Sequence, residues 1–114
     1  MAAAALLAGS RAQAQSAETA ADLRCVLAVQ MVANQSKDAK LVQQAAMGML
    51  FFMGRIQGRE PSFDVAPALR AEMLKTSFTA MKPEIARCGQ ILAGEGAKIK
   101  AAEAAYRSMP HFIP

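Results

Sequence analysis

GMLFFMGRIQG, residues 48–58, is the stretch on which the fold turns. It holds adjacent Phe51 and Phe52, Met49 and Met53 with Met47 just ahead, and three glycines, Gly48, Gly54 and Gly58. At about 100° per residue a helix brings Leu41, Val42, Ala45, Ala46, Met49, Phe52, Met53 and Ile56 onto one broad face. Met47, Leu50 and Phe51 interrupt the opposite side. A helix that is apolar nearly all round is expected to be enclosed by neighbours. The run is too short to span a bilayer, which takes about 20 apolar residues. An interior glycine costs a helix about 1 kcal/mol against alanine, so Gly48 and Gly54 call for close approach of another element. Gly58, ahead of Arg59, Glu60 and Pro61, reads as a close-packed helix end.

Around this rod the pattern predicts an all-α, compact four-helix domain. Residues 15–21 are small and polar and read as a flexible lead-in. Asp22 caps a first helix over residues 23–34, with apolar residues on two sides (Leu23, Leu27 and Met31; Cys25, Val29 and Val32). Ser36 caps the central helix, which runs to Gln57. The segment Glu60, Pro61, Ser62 is a turn, and Asp64 caps a third helix whose Pro67 falls in the first turn. Leu69 pairs with Met73, while Leu74, Phe78 and Met81 form a second apolar row. A fourth helix is expected from Pro83. Its seam of Ile85, Cys88, Leu92, Glu95, Ile99, Ala102 and Tyr106 follows steps of three and four. Gly94 and Gly96 mark a bend or break beside Glu95. The domain is thus residues 22–107, followed by a non-helical tail, residues 108–114.

The first 14 residues, MAAAALLAGSRAQA, combine an uncharged apolar core with a small-x-small site at Ala12, Gln13, Ala14. They read as the remnant of a secretory signal peptide, although the basic leading region is missing. Export to the periplasm gives the two cysteines a meaning. Cys25 and Cys88 are an even count in an oxidising space, and one disulfide linking the first and fourth helices is expected. Two separate buried thiols are the alternative.

The formal charge of +4 is modest, and the basic residues are scattered. No basic face with interleaved aromatics marks a nucleic-acid binder. His111, the one histidine, has no marked partner for acid–base or nucleophilic work. Met47, Met49 and Met53 admit three readings: core filler, part of a binding groove, or a soft-metal site. Met49 and Met53 share a face and Met47 does not, so no metal site and no cofactor are expected. Gly94, Glu95, Gly96 lacks the Lys and Ser/Thr of a phosphate loop. The cysteines lack the C-x-x-C spacing of a redox enzyme. No enzyme is expected.

Three segments, DLRCVLAVQMVANQ, GMLFFMGRIQGREPSFDVAPALR and ARCGQ, resemble a group of small exported two-cysteine bacterial proteins of unknown function. In layout the chain is also similar to acid-stress chaperones of the HdeA type and to toxin-immunity proteins. That resemblance implies a Cys25–Cys88 bridge around a central helix. The function expected is a non-enzymatic protein-binding or self-associating module. Its binding surface is placed at Met47, Met49, Phe51, Phe52, Met53 and Ile56. An acid-stress chaperone or an immunity protein is the alternative.

Overall fold

The computed structural model describes residues 16–110, and the expected signal peptide, His111 and the end of the tail lie outside them. Four helices follow in order: α1 (Ala17–Gln35), α2 (Ala39–Arg59), α3 (Val65–Lys75) and α4 (Phe78–Arg107). There is no strand among the described residues, and the all-α, four-helix expectation holds. So does the covalent link. Cys25 in α1 and Cys88 in α4 form a disulfide across a Cα–Cα distance of 5.4 Å.

The hub is α1, not α2. It packs against all three other helices, and Leu23, Cys25, Val26, Leu27, Ala28 and Val29 are buried. The five consecutive buried side chains from Cys25 to Val29 occupy every direction around a helix, so neighbours must stand on all sides. By contrast α2 buries one stripe, Ala45, Gly48, Phe52 and Ile56, and packs chiefly on α1. Leu41, Val42, Met47 and Leu50 remain exposed, Leu50 by 70%. The aromatic density of GMLFFMG is real, but α1 takes the inward faces of the other three helices, and among the described residues no element encloses the outer side of α2.

Helix ends depart from the sequence expectation in a consistent way. α1 begins at Ala17, capped by Ser16, whose hydroxyl accepts from the Thr19 amide. The lead-in is therefore helical from Ala17, and Thr19 within it is fully buried. Asp22 does not cap; it sits buried in the second turn. Asp38, not Ser36, caps α2, accepting from the Lys40 amide. Helix α2 runs past Gly58 to Arg59, so Gly58 is not its stop.

Ser77 caps α4 by accepting from the Ala80 amide, which moves the start of α4 from Pro83 back to Phe78. Pro83 inside the helix removes the amide that would bond the Thr79 carbonyl. Both residues are exposed, so water can take the freed group. Nor do Gly94 and Gly96 break α4, which is continuous over 30 residues. Leu74 and Phe78 are exposed, so the expected second row keeps only Met81 in the core. The long α4, about 45 Å at 1.5 Å per residue, carries the molecule to 63 × 38 × 20 Å.

Candidate functional site

The two ends of α1 are covered differently, and the difference creates the site. Around Leu23 the cover is complete. Leu23, Ile56 and Val65 form a buried cluster, with Phe63, Ala68 and Leu69 packed on it. Charged groups seal the same end. The buried Asp22 carboxylate accepts from Arg59 at 2.7 Å, and Arg55 stands 3.4 Å away. The Thr19 hydroxyl donates to Glu60 at the end of α2. On the α4 side, Glu84 lies between Arg24 and Arg87, each at 2.5 Å, and Arg24 also reaches the buried Glu72 at 3.6 Å. Hydrogen bonding from Arg87, then from Arg24, outweighs burial and holds the Glu84 carboxyl below its ordinary range. Bonding to Glu84 raises Arg24 in turn. Arg87 further donates to the Ala21 carbonyl at 3.1 Å, which ties α4 to α1 one turn from the disulfide.

Past Cys25 and Cys88 this cover ends. Ala28, Val29 and Val32 of α1 lie at the base of an open groove of about 680 Å³. Leu41, Met47 and Phe51 of α2 form one wall, and Leu92, Gly96 and Ile99 of α4 form the other. No residue of α3 reaches it. Glu95 is the one charged residue in the lining, and its carboxylate pairs with Lys98 at 3.0 Å. The groove is open and largely apolar, and apolar grooves of this kind recur where amphipathic helices are bound.

The expected binding residues divide across this geometry. Met47, 64% exposed, and Phe51 line the groove. Phe51 also meets Phe52 edge to face at 5.2 Å, and the Arg55 guanidinium lies 5.7 Å above its ring. Phe52 and Ile56 do not belong to a surface: both are fully buried against α1 and its neighbours. Met49 and Met53 are half-buried against the core clusters, away from the groove lining.

Of the three glycines only Gly48 is closely packed. A Cβ there would stand 2.9 Å from the Leu92 side chain and 3.5 Å from Val29. Gly54 and Gly58 face open space, so no neighbour explains them. Neither the α1 and α4 contributions to the groove nor the sealing ion pairs were expected. Val29, Val32, Leu92 and Ile99 were already on apolar seams; what the sequence lacked was the gap between α2 and α4.

Comparison with protein-family models, curated proteins and solved structures finds no match to this chain. Among the described residues no group of three or more His, Cys, Asp or Glu side chains is placed to hold a metal ion. No helix among them is long and apolar enough to cross a membrane. The chemistry that the groove offers is burial of apolar surface, with one carboxylate at its edge.

Proposed function

We propose that this protein is a non-enzymatic binding module of the bacterial periplasm. It holds one apolar flank of a helix, from a protein partner or a second copy, in the groove between α2 and α4. One observation carries the reading: an open apolar trough of about 680 Å³ between α2 and α4, lined in part by the disulfide-bonded Cys88. Exposed apolar patches of this kind, rimmed by polar residues, mark interaction sites. The disulfide supports export, since such bonds persist in oxidising compartments. A photo-crosslinking residue at Met47 tests the proposal in the periplasm, with Arg70 on the remote α3 as control. A product at Met47 and none at Arg70 supports the groove; equal products, or none at either, overturn it.

An acid-stress chaperone is the alternative, and the ion pairs favour it. Glu84 is held ionised between two arginines, so its protonation in acid removes one of the ties between α4 and α1. Binding of an apolar dye should then rise between neutral pH and about pH 3. A flat signal removes this alternative and leaves the binding module.

A further inference from the structure

We infer that the occupant of the groove is the projecting end of α4 from a second copy of this chain, laid antiparallel to the first copy's α4. The inference rests on the groove being a binding site, and it names what fills it.

Every residue from 97 to 110 is exposed. The alanines of this arm favour helix. The arm is not polar all round. Ile99 is 64% exposed and Tyr106 is 45% exposed, seven residues apart on one face. The same face continues back into the groove wall through Gly96, Leu92 and Gly89. One molecule therefore presents a trough and an apolar rod that begins where the trough ends. A two-fold axis satisfies both at once, because each copy gives its rod and receives the other's.

The residue spacing fixes a register. Gly89 and Gly96 are seven apart, as are Ile99 and Tyr106. An antiparallel pair centred between Ala97 and Lys98 sets Ile99 of one chain level with Gly96 of the other, and Tyr106 level with Gly89. Ala93 and Ala102 then face each other. A Cβ added at Gly89 or Gly96 would meet nothing within 4 Å in the single chain, so the space in front of both is open to a large side chain. Leu92 falls level with Glu103, whose carboxylate is already tied to Arg107. Charge runs the right way too. The arm carries Lys98, Lys100 and Arg107 against Glu103, while the groove's one charged lining residue is the acidic Glu95.

Sedimentation equilibrium on the full exported chain gives the first test. A dimer is expected, weakened about tenfold or more by Ile99→Glu and unchanged by Leu74→Glu on the exposed side of α3. A second test reads the register. Gly89→Cys and Tyr106→Cys proteins, mixed under mild oxidant, should cross-link to each other and not to themselves, because like positions stand about 25 Å apart along the paired helices. A strict monomer up to about 1 mM overturns the inference. So does a dimer indifferent to Ile99→Glu, or one in which each cysteine variant cross-links to itself. If the Met47 photo-crosslink then joins a different protein, the groove remains a binding site and only the second copy is excluded.

Discussion

Helix α1 has two halves that are both rich in apolar residues and are covered differently. Its first half, from Thr19 to Val26, is roofed on all sides and sealed by Asp22, Arg59, Glu84 and Arg24. Its second half, at Ala28, Val29 and Val32, floors an open trough. The first half carries the sealing groups Thr19, Asp22 and Arg24, and the second carries no charged residue; the supply of cover differs as well. α3 has 11 residues and stands over Leu23, and among the described residues no further helix covers Val32. A bundle with one short helix thus leaves an open apolar groove beside its longer neighbours.

The largest effect should come from removing what joins both halves. Cys25→Ser with Cys88→Ser frees a 63-residue loop, and chain entropy puts the loss at about 4 kcal/mol, read as a lower urea midpoint. Next, the closed half alone: Phe52→Ala empties a fully buried site between α1 and α2 and should cost roughly 3–4 kcal/mol. Asp22→Asn leaves the Arg59 and Arg55 guanidinium groups without their carboxylate. A fully buried pair would lose more, but Arg59 is partly solvated, so about 2 kcal/mol is expected by thermal or urea unfolding.

The pH dependence has a definite sign. The folded-state value of Glu84 is depressed, so its contribution is present above its ordinary value of 4.5 and is lost as pH falls through the folded value. Glu84→Gln should flatten that acid limb in unfolding curves taken at successive pH values. Smallest is the open half. Met47→Ala should move stability by less than about 0.5 kcal/mol while weakening whatever the groove holds. A large loss of stability at Met47 would erase the contrast between the halves.

Much of the closed half could be read in the chain. Leu23, Cys25, Leu27 and Val29 already surround α1 with apolar groups, and that pattern demanded neighbours on every side. The hub was misplaced because Phe51 and Phe52 outweigh leucine and valine in any reading by size, whereas burial in a four-helix bundle is decided by how many neighbours reach a helix. Pro83 drew the start of α4 too late, since the pattern gives no sign that water will serve Thr79. Asp22 passed for a cap because its true partner, Arg59, is distant in sequence and becomes a neighbour only when α2 folds back. The groove was half legible: Met47 and Phe51 were on it, but a gap is a property of spacing between helices and leaves no mark on any one of them.

The Cys25–Cys88 bond closes a covalent ring that contains the whole of α2 and α3. A protease that cuts the exposed turn at Pro61 and Ser62 therefore breaks the backbone without parting the molecule. Both fragments travel together on a non-reducing gel and separate only when thiol is added. Such a nick is an injury the molecule can carry without falling into two pieces.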